Sequence, residues 1–258
     1  MLHIDTALTV YILTFAAVFG GVFGSFINCM AWRIAHHENV LKGRSHCATC
    51  QHPLGILDLV PVLSYLFLRG RCRYCKEKIS PRYMITELIM VLAFVAVVWK
   101  FDVTFLSLRY LVLICILLGL ALVDMEIYEI PDRFIVAGIG WWIVTIPLLD
   151  VDWLVQIKTG LIGAVAIGGG MLILSILFDK ITGKESLGGG DIKLFFMVGL
   201  YLGGFVSLFN LIVACIIGII FSLGIGQKKI PFGPAISVAT FVSVVCGQDI
   251  VNWYLSLF

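Results

Sequence analysis

Apolar runs of membrane-spanning length follow one another along almost the whole chain, and that pattern narrows its folds more than any motif. A bilayer crossing takes about 20 apolar residues. Lipid offers no partners for backbone polar groups, so such runs fold as helices. Of the 258 residues 60% are hydrophobic, and the runs fall near 8–32, 84–101, 104–123, 133–149, 160–178, 192–206, 207–226 and 234–256. We expect an all-α polytopic membrane protein of about eight transmembrane helices carrying one small polar insert. The first run comes after a start whose only acid is Asp5. It lacks a basic n-region and a small-residue cleavage site, so we expect it to be retained.

Lysines and arginines set the orientation of such a chain. With eight crossings, the loops 33–83, 124–132, 179–191 and 227–233 share one side. Fifteen of the eighteen lysines and arginines lie there or at the adjoining helix mouths, leaving only Lys100, Arg109 and Lys158 for the other. The basic side is expected to be cytoplasmic, in the inner membrane, with both termini outside. The net charge of +2 is no more than this asymmetry. It points to membrane lipid as the surroundings and gives no reason to expect nucleic acid.

The chain then divides into three regions: a first transmembrane helix over 1–32, a cytoplasmic insert over 33–83 and a transmembrane core over 84–258. The insert holds Cys47-Ala-Thr-Cys50 and Cys72-Arg-Tyr-Cys75, two Cys-x-x-Cys pairs 21 residues apart. Two knuckles of this kind present four thiolates to one point, the donor set of a structural zinc site. Arg44, Arg71, Arg73 and Lys76 nearby favour thiolates. Two disulfides, disfavoured in a reducing cytoplasm, or four free thiols are the alternatives. A closed Cys₄ site has no open position for water, so its expected work is to fold an insert too small for a large core. His46 and His52 read as flanking groups, and Cys29, Cys115, Cys215 and Cys246 as small packing residues within the spans.

Two acids stand where an apolar run ends or begins. Asp191 comes after Gly188-Gly189-Gly190, and Asp124 closes the run from Leu111 to Val123. Acids at hydrocarbon are costly and mark functional sites. A pair of carboxylates sharing one proton is the machinery of an aspartic protease, and the glycines leave room for a substrate backbone. Local sequence leaves the choice open. Asp191 equally suits an N-cap after a glycine-rich loop, and Asp124 opens an acidic stretch to Asp132 that could simply mark the membrane exit.

Taken together, the residues resemble the type IV prepilin peptidase family of bifunctional leader peptidases and N-methyltransferases. Six ordered motifs carry the likeness. They are Gly24-Ser25-Phe26-Ile27-Asn28 with Arg33, the paired Cys-x-x-Cys insert, Ile79-Ser80-Pro81-Arg82-Tyr83 with Glu87, Asp124 through Ile130-Pro131-Asp132, Gly188-Gly189-Gly190-Asp191-Ile192-Lys193, and Ile230-Pro231-Phe232-Gly233-Pro234. The resemblance implies Asp124 and Asp191 as the catalytic pair. It implies prepilin or pseudopilin precursors as substrates, cut after a glycine at the cytoplasmic face. It further implies methylation of the new N-terminus from S-adenosylmethionine. Methyl transfer needs a neutral amine, hence a base. Glu87 is the candidate, with Asn28, Arg33 and Arg82 as companions, and a structural ion pair with Arg82 or Arg33 is its alternative role. Two other readings compete: a presenilin-like protease cutting within a helix, and a zinc-stabilised membrane transporter or scaffold.

Overall fold

The structure, a computed structural model, describes residues 6–40, 43–183, 188–225 and 231–257. Asp5, Lys42, Lys184, Leu187, Lys228, Lys229 and Ile230 lie outside them. Among the described residues there is no strand, and eleven α-helices come in order. They are α1 (Thr6–Ala35), α2 (Leu63–Phe67), α3 (Pro81–Phe101), α4 (Phe105–Ile127), α5 (Asp132–Thr145), α6 (Trp153–Ala164), α7 (Gly170–Thr182), α8 (Gly189–Leu202), α9 (Gly204–Ile225), α10 (Gly233–Val242) and α11 (Gln248–Leu255). One π-helical turn, Val165–Gly169, joins α6 to α7, and another, Ser243–Gly247, joins α10 to α11. Each pair is therefore one continuous rod.

A helical segment stands at each of the eight apolar runs, but only six have the length and composition to cross a bilayer: Thr6–Ala35, Pro81–Phe101, Phe105–Ile127, Trp153–Thr182, Gly204–Gly224 and Gly233–Leu255. Among the described residues, then, six spans and not the expected eight meet that measure. Helices α5 and α8 have 14 residues each, about 21 Å at 1.5 Å per residue, against a hydrocarbon core of about 30 Å. The run 133–149 overreached because α5 gives way to a 3₁₀ turn at Ile146–Leu148. The run 192–206 overreached because Gly203, at φ 73°, ends α8. Hydropathy registers removal from water, and α8 satisfies it by burial in protein: Leu194, Phe195, Met197 and Val198 are all fully buried.

By compactness the chain divides into Met1–Ser107 and Leu108–Phe258, so α3 groups with α1 and the insert. In the first unit α1 packs along α3. A side chain at Gly20 would meet the Met90 carbonyl oxygen at 2.6 Å, and one at Gly24 the Glu87 Cα at 3.0 Å. Small residues four apart thus bring two backbones together, as in lipid-embedded helix pairs generally. Ser80 and Pro81 start α3: the Ser80 hydroxyl accepts the Arg82 N–H at 3.3 Å, and proline occupies the first helical position. Outward-facing Tyr11, Phe15 and Phe19 of α1 remain exposed, the pattern of a helix whose other face meets lipid.

In the second unit α8 is the hub, touching α5, α6, α9 and α10. Its approach to α6 is backbone to backbone: a side chain at Gly160 would meet the Leu200 carbonyl oxygen at 2.8 Å, and one at Gly199 the Ala164 Cα at 2.6 Å. A side chain at Gly168 would likewise meet the Phe196 Cα at 2.8 Å.

Candidate active site and metal-ligand cluster

Asp124 sits in the last turn of α4 and is 4% exposed. Its Oδ2 accepts the Gly233 N–H at 2.8 Å, and Gly233 opens α10 after Pro231-Phe232. Sequence reasoning placed that segment in a motif but missed this bond. The only signal was a glycine between Phe232 and Pro234 at a helix start. The glycine is required, since a Cβ there would stand 2.7 Å from the same carboxylate oxygen. The Phe232 ring packs against Phe195 of α8 with centroids 6.1 Å apart, and the Ser237 hydroxyl donates to Leu117 O of α4 at 3.2 Å. Thus α4, α8 and α10 converge on Asp124.

Asp191 occupies the third residue of α8. The N-cap is Gly188, extended at φ −63° and ψ 133°, with no side-chain capping bond. This rules out the N-cap alternative: the Asp191 Oδ1 is buried with no hydrogen-bond partner among the described residues. An ionised acid in a first helical turn is favoured by the helix dipole, but a buried oxygen without a donor is costly and needs a reason. Burial acts on it first, and the Asp124 carboxylate second.

The three glycines before Asp191 play different parts. A side chain at Gly190 would meet the Ile130 Cβ at 2.9 Å, so bare backbone lets the segment after α4 rest on the start of α8. One at Gly188 would stand 3.1 Å from Asp191 Oδ2, and one at Gly189 would meet nothing within 4 Å. Tyr128, at φ 56°, turns the chain out of α4 toward Ile130, a conformation rarely taken by a bulky residue. Lys193 Nζ reaches Asp132 Oδ1 at 2.7 Å with both side chains largely exposed. That pair ties α8 to the start of α5, and such exposed pairs contribute little individually.

In the first unit Cys47, Cys50, Cys72 and Cys75 bring their four sulfurs within 4.8 Å of one another. Tetrahedral zinc with bonds of about 2.3 Å needs sulfurs about 3.8 Å apart, and Cys47 to Cys75 is 3.9 Å. The donor set fits one metal ion. The two knuckles share one geometry. The Cys47 N–H donates to His52 O and the Cys72 N–H to Glu77 O. Residues Gln51 and Lys76 both take positive φ, and His46 pairs with Pro53 as Arg71 pairs with Lys78. Burial raises Cys47, but the Cys50 and Thr49 N–H groups outweigh it and hold the thiol at about 7. The Glu77 N–H lowers Cys75, but desolvation and the neighbouring thiols outweigh it and push it to about 12. Four thiols crowded this way cannot all ionise without a cation among them.

Asp58, unremarked in the sequence, braces the second knuckle. It accepts from Gly55 N at 3.1 Å, Arg73 Nε at 2.6 Å and the Tyr74 hydroxyl at 3.2 Å. Burial would raise its carboxyl, but the Gly55 N–H and the Arg73 guanidinium hold it below the usual value.

A cavity of about 410 Å³ lies between α1, α3 and the knuckles, lined by Ser25, Trp32, Arg33, Tyr83 and Glu87 together with Cys47 and Cys72. That size suits a small-molecule site. Glu87 is 9% exposed and its Oε2 accepts the Val62 N–H at 2.7 Å, with Val62 held at φ 60°. The Arg33 guanidinium gathers the carbonyls of Asn39, Val40 and Gly43. Of the four methyl-transfer candidates only Glu87 and Arg33 line the cavity. Asn28 instead donates to Thr86 Oγ1 at 2.5 Å, clamping α1 to α3, and Arg82 sits in the first turn of α3 beside it.

Comparison with known proteins agrees with this division. The Bacterial Peptidase A24 N-terminal domain matches residues 18–101, and the Type IV leader peptidase family matches residues 111–223. A prepilin leader peptidase/N-methyltransferase from Aeromonas salmonicida is 34% identical over 232 residues, covering 84% of this chain and 76% of its own. Proteins of the same name from Neisseria gonorrhoeae (28% identical, 97% of each chain) and Bacillus subtilis (28% identical, 95% of this chain and 98% of its own) match nearly end to end. No solved structure matches the chain. Together with six described helices long and apolar enough to cross a bilayer, these matches show that the chain belongs to the type IV leader peptidase family as a multi-pass membrane peptidase.

Proposed function

We propose that the enzyme removes the basic leader of prepilin or pseudopilin precursors, cutting after glycine at the cytoplasmic face of the inner membrane, and methylates the new N-terminus. The observation that carries the peptidase assignment is a pair of acids at helix ends, Asp124 on α4, buried and held by the Gly233 N–H, and Asp191 on α8, half-buried with its Oδ1 shielded and lacking a donor among the described residues. The Gly233 N–H suits an ionised Asp124, so Asp124 takes the proton from water as its oxygen attacks the scissile carbonyl carbon. Asp191, protonated, gives its proton to the carbonyl oxygen. Collapse of the tetrahedral intermediate breaks the C–N bond. The amine leaves with the proton held by Asp124, and Asp191 recovers its own from the intermediate. Gly188 and Gly189, which no other element covers, leave the approach to Asp191 open to a substrate backbone, while Gly190 seats Ile130.

For the second activity, S-adenosylmethionine supplies the methyl group. The cavity beside α1 and α3 supports its binding, with Trp32 and Tyr83 offering aromatic faces to a cation and Glu87 taking the proton from the amine. Asn28, which clamps α1 to α3, and Arg82 serve as positioning residues outside the cavity lining. Zinc on Cys47, Cys50, Cys72 and Cys75 holds the insert in shape. In functional terms residues 1–32 anchor, 33–83 serve methyl transfer with help from Glu87, and 84–258 hold the peptidase machinery.

Co-expression with a prepilin, followed by mass spectrometry of its N-terminus, tests the assignment. The wild type should yield a product cut after glycine and heavier by one methyl. Asp124→Asn and Asp191→Asn should each lower cleavage by at least about 10³-fold while the protein still inserts. Cleavage inside the substrate's apolar helix, or full activity of either variant, would overturn it.

A further inference from the structure

Arg109 lies on α4 near its start, about 22 Å along the helix from Asp124 at 1.5 Å per residue. It is 6% exposed. Its guanidinium sits 5.7 Å from the Trp142 ring centre and 5.2 Å from that of Tyr201. A guanidinium carries five N–H donors. Among the described residues its one hydrogen-bond acceptor is Gln156 Oε1, 3.3 Å from Nη1, and Nε is buried with none. A buried cation without a carboxylate is expensive unless something else neutralises it.

The space beside it is a cavity of about 380 Å³, larger than a bare ion needs. Its polar wall includes Arg109, Gln156, Thr159, Gln248 and Asn252, with no carboxylate among the lining residues. The Gln156 amide and the Thr159 hydroxyl already donate to backbone carbonyls, so the guanidinium is the cationic donor there. The start of α9, Gly204 to Val206, forms another part. The first residues of this 22-residue helix thus line the same space, and the positive dipole end of a helix favours anions. Val251 and Leu255 complete the lining with apolar surface.

We propose that this cavity binds a phosphate group, which the Arg109 fork and the α9 N-terminus hold together. Phosphate has the oxygens to accept from several donors at once, and guanidinium–phosphate pairing is among the stronger charge-assisted contacts. Two sources offer this chemistry, a phospholipid headgroup and the free ion, and one experiment separates them. The purified full-length protein in dodecyl maltoside is titrated with phosphatidylglycerol, with diacylglycerol as the phosphate-free control, and with inorganic phosphate. Native mass spectrometry reads occupancy, and thermal unfolding reads stabilisation.

Phosphatidylglycerol should bind at one per chain and raise the unfolding midpoint, while diacylglycerol should not. Arg109→Gln should weaken binding by at least tenfold. Should that variant fail to fold, Gln248→Leu, at the rim, should still weaken it severalfold. Stabilisation by inorganic phosphate as well as by the lipid, lost in the same variants, assigns the site to the free ion. Equal effects of phosphatidylglycerol and diacylglycerol, or binding unchanged in both variants, overturns the proposal.

Discussion

The Asp124 carboxylate is aimed by a backbone donor, the Gly233 N–H at 2.8 Å. That donor is available at that distance only because residue 233 has no side chain. Adding one methyl places a carbon 2.7 Å from Oδ2, so the acid must swing away from its partner. Misplacing a reacting group by a fraction of an ångström costs about one to two orders of magnitude in rate. Gly233→Ala should therefore cut leader removal about 10- to 100-fold. Gly140→Ala, where a side chain would meet nothing within 4 Å, should leave it within about twofold. Steady-state cleavage of a purified prepilin measures both. Comparable rates for the two variants would show that Gly233 has no aiming role.

Between elements, glycine sets the spacing. Helices α1 and α3 approach through Gly20 and Gly24, and Asn28 locks them with its bond to Thr86. A Cβ at Gly20 would stand 2.6 Å from the Met90 carbonyl oxygen and 2.9 Å from the Val91 Cα. Both are backbone atoms, which cannot turn aside as a flexible side chain would. Gly20→Ala should destabilise the α1–α3 pair by about 1–3 kcal/mol, the usual cost of overpacking. It should appear as a lower unfolding midpoint by thermal melting of the detergent-solubilised chain. Because Glu87 rides on α3 at this contact, methyl transfer should fall more than cleavage. An unchanged midpoint would mean that the pair is not held together at this point.

At the scale of the whole chain, the two proposed chemistries rest on different compact units. The four thiols and the Glu87 cavity belong to Met1–Ser107, and the two aspartates to Leu108–Phe258. Cys47 and Cys72 themselves form part of the cavity wall. Binding of a structural metal is folding energy for the segment that holds it. Stripping the metal with a strong chelator should therefore lower methylation at least about tenfold while cleavage stays within about threefold. Mass spectrometry of one co-incubated prepilin reads both. Parallel loss of the two would contradict this separation.

Composition and spacing were enough, in the sequence by itself, to determine the helical class, the thiol cluster and the residues worth pursuing. Apolar runs can settle only as helices, and a helical segment stands at each of the eight. Two Cys-x-x-Cys pairs can reach one point, and the four sulfurs do. Two acids at the edges of apolar runs marked the candidate catalytic pair. The tertiary structure alone decided which runs have spanning length, because hydropathy scores α8 alike whether lipid or protein surrounds it. Only packing brings α10 against α4, 109 residues apart at the Gly233 to Asp124 bond, and no local pattern encodes a contact of that range. The unshared Asp191 oxygen and the Arg109 guanidinium without a carboxylate among the described residues are likewise invisible in a string of letters, since the lack of a partner is a property of the space around an atom.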